Sequence, residues 1–182
     1  MTIMDDTSII SYQKRSPQLD PSVFVASGTR IIGDVRALEH SSFWFNVTVR
    51  ADVHFVSIGS RTNIQDNTVI HVTHQKFPTL IGNGVTIGHS AIIHACEIED
   101  ECLIGMGACI LDGAKIAKHS FLAAGSLVSP NKSYPEGSFL MGRPAKVVRK
   151  LTAQEISEKI IASSSHYINI KNNYEEDLSS SL

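Results

Sequence analysis

Apolar residues recur at a fixed interval along most of this chain. Ile81, Ile87, Ile93, Ile98, Ile104, Ile110, Ile116, Leu122 and Val128 follow one another at six-residue steps, with a single five-residue step between Ile93 and Ile98. The same phase runs earlier through Val25, Ile31, Ala37, Phe43 and Val49, and it resumes at Ile58, Ile64 and Ile70 after three extra residues. A small residue often follows the apolar one, as at Gly59, Gly82, Gly88, Gly105 and Ala123. Six residues are too few for an amphipathic helix and too regular for the strands of a sandwich. A short strand and a corner in each hexad predict instead a prism-shaped coil. Three hexads make one eighteen-residue turn, and a strand spacing of about 4.7–4.9 Å stacks each isoleucine on the one a turn later.

The pattern therefore predicts an all-β solenoid, a parallel β-helix of hexapeptide repeats with a C-terminal α-helix. Its parts are an N-terminal extension over 1–19, the β-helix over 20–145, a connecting segment and helix over 146–174, and a flexible tail over 175–182. No single turn is stable alone, so the ends need caps. Pro144 closes the repeats, and Thr152 with Glu155 forms a T-x-x-E capping box ahead of a helix through Ile156, Ile160 and Tyr167. The stretch from Glu175 to Leu182 is acidic and serine-rich, and the segment around Asp5 and Asp6 lacks a pattern, so both ends read as mobile.

The histidines acquire meaning from this register. The step from Ile70 to Ile81 is eleven residues, so Val72 to Leu80 forms an excursion that leaves the coil and returns. With its five surplus residues removed, Ile70 and Ile93 are one turn apart on one face, each followed by a histidine, His71 and His94. Two imidazoles one strand spacing apart can aim at a common point, and zinc accepts nitrogen at about 2.0–2.1 Å. His89 follows Ile87 by two residues and lies near the edge of the preceding side, where convergence with the pair inside one chain is difficult. If three prisms pack around a threefold axis, His89 of one copy faces His71 and His94 of the next and completes a three-histidine site with one position open for water. This geometry predicts a homotrimer, with Gln65 and Asp66 lying one turn before Gly88 and His89 along the same interface. His40, His54, His119 and His166 read as solvated or packed residues. His74, on the excursion, is either a solvent-facing loop residue or a proton carrier.

Composition narrows the partners. With 16 Lys and Arg against 18 Asp and Glu, the formal net charge is -2, and there is no basic stripe of the kind that nucleic acid or an anionic membrane requires. No apolar run reaches the length of a membrane span and no signal sequence is legible, so a cytoplasmic protein with a small-molecule substrate is expected. Cys96, Cys102 and Cys109 lack Cys-x-x-Cys spacing and read as reduced small hydrophobes within the repeat.

Several segments together resemble the γ-class carbonic anhydrases: Arg50-Ala51-Asp52, the run from Thr62 to Asn67, His71, Ile87-Gly88-His89, His94, Gly105-Met106-Gly107 and the G-x-P-A-K segment from Gly142 to Lys146. The resemblance runs from about Pro21 to Lys150. It implies a left-handed β-helix, a handedness that periodicity cannot supply, and a trimer with metal at each subunit interface. By the same resemblance His71 and His94 bind the metal from one subunit and His89 from the next. Gln65, Asn63 and Tyr167 would hydrogen-bond the metal-bound solvent or bicarbonate. Arg50, Asp52 and Asp66 would organise the interface, with Arg50 and Asp66 pairing between copies. The sequence departs from the family where Ala51 replaces the usual glycine and where the excursion carries no Asp or Glu to export protons.

The implied activity is reversible hydration of carbon dioxide to bicarbonate by a metal-bound hydroxide. Three neutral imidazoles leave the ion's charge uncompensated and lower the pKa of bound water from ~15.7 to roughly 7. Zinc is the default cofactor for three histidines and water, with Fe2+ or Co2+ accepted by the same ligands. Two other readings stand beside it: an acyl-CoA-dependent acyltransferase with one essential histidine, and a metal-binding trimeric scaffold with weak catalysis.

Overall fold

The structure, a computed structural model, describes residues 1–180, and the final two residues of the expected tail lie outside the described residues. Each hexad forms a two- or three-residue strand that contains its apolar position and pairs in parallel with the strands one turn before and after. One face stacks Phe24–Val25, Ser42–Phe43, Asn63–Ile64, Thr86–Ile87, Leu103–Ile104 and Phe121–Leu122. A second carries Val69–His71, Ile92–His94, Cys109–Ile110 and Leu127–Val128. A third carries Thr79–Ile81, Glu97–Ile98, Lys115–Ile116 and Ser133–Tyr134. The long strands Arg30–Ala37 and Thr48–Ile58 turn the corner and join the second and third faces into one sheet. The whole is a parallel β-helix of about eight turns.

Stacking produces the core. Ile87 lies in register between Ile64 and Ile104, Ile93 between Ile70 and Ile110, and Ile98 between Ile81 and Ile116. All nine side chains are almost fully buried, and each removes from water apolar area worth about 1.5–3 kcal/mol. The small residue after the apolar one has a steric reason. A Cβ on Gly88 would lie 2.7 Å from the backbone nitrogen of Met106, closer than such contacts allow. The three extra residues before Ile58 are absorbed between Ala51 and Val56, which oppose Gly33 and Val35. Ala51 is extended, and it is Gly33 across from it that takes the positive φ, +82°. This exchange accommodates alanine in the Arg50-Ala51-Asp52 segment.

Both ends differ from the sequence expectation. Thr2–Ile3 pairs with Phe24–Val25, Ser8–Ile10 with residues 30–32, and Gln18–Leu19 with Arg36 and Ala37, so residues 1–19 are a first turn of the coil. They cap the exposed sheet edges through backbone pairing, with Ile3, Ile9 and Ile10 left partly exposed, and a hexad search does not detect such a turn. At the other end Ser138–Gly142 pairs with Ala145–Lys150 as the one antiparallel strand pair among the described residues. The capping box forms as expected: Thr152 Oγ1 accepts from the Glu155 amide and the Glu155 carboxylate accepts from the Thr152 amide, both at 3.1 Å. Arg149 grips that carboxylate at 2.7 Å on each oxygen and holds its pKa far below the usual carboxylate range. A π-helical stretch, Ile156–Ile161, leads into the helix Ala162–Ser180. The helix thus continues past 174 into the segment expected to be a flexible tail. Its Tyr167, Ile170, Tyr174 and Leu178 recur at three- and four-residue intervals and meet the cluster of Phe24, Trp44 and Phe45. Trp44 meets the edges of Tyr167 and Tyr174 with ring centroids 5.5 Å apart in both cases. Among the described residues no helix is long and apolar enough to cross a membrane.

Candidate metal centre

The strands Val69–His71 and Ile92–His94 pair residue for residue, His71 opposite His94, because the isoleucine before each is fixed in the core. Their side chains meet outside the coil with His71 Nδ1 3.2 Å from His94 Nε2. The other nitrogen of each ring is already committed. His71 Nε2 lies 3.1 Å from Asp52 Oδ1, and His94 Nδ1 lies 2.6 Å from Asp112 Oδ1. An ionised carboxylate only accepts, so both of those ring nitrogens carry hydrogen. In neutral rings the two facing nitrogens are then bare lone pairs, which repel unless a cation sits between them. Zn–N bonds of about 2.0–2.1 Å put two ligands of a tetrahedral zinc about 3.3 Å apart, close to the spacing observed here. The pair fits two corners of a metal site.

The carboxylates are themselves held. Arg50 binds the second oxygen of Asp52, and the hydroxyl of Thr73, on the excursion, binds the second oxygen of Asp112. Burial acts to raise both carboxyls, but the hydrogen bonds from Arg50 and His71 to Asp52, and from Thr73 and His94 to Asp112, outweigh it and leave both below the usual range. Burial lowers His71, against the pull of Asp52, and so favours the neutral ring a metal needs.

The remaining site residues gather on the neighbouring face. His89 Nδ1 lies 2.7 Å from Asp66 Oδ2, so it too has one nitrogen fixed by a carboxylate and the other available. Gln65 Nε2 donates to Asn63 Oδ1 at 3.2 Å, and Asn63 Nδ2 donates to Thr86 Oγ1 at 2.9 Å, which orients both amides. Thr86 continues the chain of bonds to Ser163 on the C-terminal helix at 3.1 Å. An open groove of about 380 Å³ runs between this face and the helix, lined by Gln65, Leu103, Met106, Phe121 and Tyr167 among others. Burial and the charge of Asp66 raise the Tyr167 hydroxyl above its ordinary pKa, so it keeps its proton.

One chain thus carries two separate clusters: Arg50, Asp52, His71 and His94 on one face, and Asn63, Gln65, Asp66 and His89 on the next, with Tyr167 of the C-terminal helix beside the second. Among the described residues of the single chain no group of three His, Cys, Asp or Glu side chains is placed to hold a metal. Arg50 is engaged by Asp52 and Asp66 by His89 within the chain. Asp112 escaped the sequence reading, although it stands eighteen residues, one full turn, after His94. His74 lines a polar pocket of about 490 Å³ with His54, Asp34 and Asp52, which places it beside the histidine pair's carboxylate. His119 lies between Glu101 and Glu136 at 2.6 and 3.3 Å, a local hydrogen-bonding role away from the pair.

The chain is thus a parallel hexapeptide coil that carries a carboxylate-braced histidine pair on its outer face. No family model matches the chain. A γ carbonic anhydrase named as mitochondrial, from Arabidopsis thaliana, is 48% identical over 86% of this chain and 58% of its own length. A carbonic anhydrase from Geobacillus kaustophilus is 45% identical over 82% of both chains. Two solved structures cover 94% of this chain and 99% of their own. A Bacillus cereus protein described provisionally as an acetyltransferase has a TM-score of 0.91 at 39% identity, and a hexapeptide transferase family protein from Anaplasma phagocytophilum has 0.88 at 40%. The fold is accordingly the left-handed β-helix of hexapeptide-repeat proteins. The chain belongs to the γ-class carbonic anhydrase family. It spans 58% of the length of the first plant relative and 82% of the Geobacillus protein.

Proposed function

We propose that this protein is a metal-dependent carbonic anhydrase that interconverts carbon dioxide and bicarbonate at sites shared between the copies of a homotrimer. The observation that carries the reading is the facing pair of nitrogens, His71 Nδ1 and His94 Nε2, 3.2 Å apart, with the other nitrogen of each ring held by a carboxylate. His89 of the partner subunit supplies the third ligand. Zinc is the default occupant, with Fe2+ or Co2+ accepted by the same nitrogens. When bound, the metal lowers the pKa of a coordinated water so that hydroxide is available near neutral pH.

The chain's own residues do the rest. Gln65, its amide plane set by Asn63, presents Oε1 to orient an attacking hydroxyl and its amide hydrogen to bicarbonate oxygen. Leu103, Met106 and Phe121 give the apolar carbon dioxide an approach that does not favour water. The raised Tyr167 hydroxyl donates a hydrogen bond to the product without ionising. Protons leave towards the pocket holding His74 and His54, which takes the place of loop carboxylates. Arg50 and Asp66 also pair between copies when the trimer forms. The cytoplasmic location expected from the sequence is kept as part of this proposal, although the plant relative is named mitochondrial.

The test is stopped-flow hydration of carbon dioxide by anaerobically purified, metal-assayed protein beside His94→Ala. Hydration that tracks metal content and is lost in the variant is the expected result. Metal at one per chain without hydration would leave the scaffold reading, and absence of metal would sink the three-histidine site. A second reading, acyl transfer, is favoured by the transferase descriptions of the two solved structures. It requires that acetyl-CoA bind in the groove beside Tyr167, which calorimetric titration decides.

A further inference from the structure

Resting on the metal-site reading, we propose that Asp112 is a positioning residue that fixes the tautomer of His94 for the metal, and that Thr73 clamps it there and so ties the excursion loop to the site. Three observations converge on it. Asp112 Oδ1 lies 2.6 Å from His94 Nδ1, the shortest of the carboxylate contacts to the three candidate ligands, against 2.7 Å for Asp66 on His89 and 3.1 Å for Asp52 on His71. The strands Ile92–His94 and Cys109–Ile110 are paired in register, and the residue two beyond Ile110 is brought beside the ring of His94 by one turn of the coil. The remaining oxygen of Asp112 is held by the hydroxyl of Thr73, two residues after His71, so the carboxylate cannot turn away.

The chemistry follows from hydrogen positions. A neutral imidazole free in water exchanges its hydrogen between the two nitrogens, and only the form with hydrogen on Nδ1 leaves Nε2 free to bind a metal beside His71 Nδ1. An acceptor-only carboxylate at Nδ1 selects that form, orients the ring and raises the basicity of the ligating nitrogen. Thr73 adds a conformational link. It opens the excursion through its backbone pairing with Phe77, while Thr79 closes it by donating from Oγ1 to the His71 carbonyl at 2.6 Å. The eleven-residue step that broke the hexad pattern therefore builds a brace beside the two histidines.

The experiment compares wild type, Asp112→Ala, Asp112→Asn, Asp112→Glu, Thr73→Val and His94→Ala, all as full chains. Cobalt and zinc affinities are measured by competition with a chelator, and the His94 ring hydrogens are located by long-range 15N–1H NMR on metal-free protein. Asp112→Ala should weaken metal binding by about 10–100-fold, the usual effect of losing such a partner, and should give a mixed His94 tautomer. Asp112→Asn, which keeps an acceptor but not the charge, should fall between alanine and wild type. Asp112→Glu should recover part of the affinity, and Thr73→Val should lose less than Asp112→Ala. Wild-type affinity and an unchanged His94 tautomer in Asp112→Ala would overturn the proposal while leaving the metal site intact. A wild-type chain that takes up neither metal would instead overturn the metal reading. If Asp112→Ala fails to fold, Asp112→Asn carries the same comparison.

Discussion

At the scale of single residues, the site is organised by carboxylates as much as by histidines. Each of His71, His89 and His94 has one nitrogen occupied by an aspartate, so each has one nitrogen left to offer. The three histidines were legible because their register could be counted. Asp112 was not, since a lone aspartate one turn beyond His94 carries no periodic signal of its own. The cysteines show the opposite case, where chemistry is suppressed by position. Burial pushes the Cys102 thiol up to about 12 and raises Cys96 further, and it also raises Cys109, which is only partly buried on the outer face. Thiolate is the reactive form, so in native protein treated with a disulfide reagent at pH 8 Cys96 and Cys102 should stay unlabelled, with all three labelling in denaturant. Rapid labelling of Cys96 or Cys102 in the native state would contradict the packed coil.

At the scale of elements, the hexad spacing revealed the faces, the turn length and the excursion because one buried isoleucine per strand is a requirement of stacking. The first turn was hidden because backbone pairing, not a repeating core residue, holds Thr2–Ile3 and Ser8–Ile10 to the coil. The end of the C-terminal helix is masked by its acidic, serine-rich composition, although Tyr167, Ile170, Tyr174 and Leu178 carry a helical period to 178. The strand Ile92–His94 links stability to the site most directly. Ile93 packs between Ile70 and Ile110 and sets the height of His94 above His71. Ile93→Ala should lower stability by about 2–5 kcal/mol in denaturant titration and also weaken metal retention. A large stability loss with unchanged metal affinity would show that the histidines do not depend on the core beneath them.

At the scale of the whole molecule, one prism cannot gather its own ligands. The histidine pair and His89 stand on different faces, each braced by its own carboxylate, and the outer residues beside the pair, Val69 and Ile92, are apolar and 43% and 47% exposed. Such a surface suits contact with another copy of the chain. Whether a metal is held between two chains is decided by mixing two variants that each lack one half of the proposed site. His89→Ala lacks the ligand given to a neighbour, and His94→Ala lacks one of the pair that receives it, so neither homotrimer should hold metal tightly. Refolded together in equal amounts, they should regain metal and hydration at roughly a quarter of the sites, the fraction of interfaces in a random trimer that unite the two intact halves. A mixture that binds no more metal than either variant alone would contradict a site shared between chains.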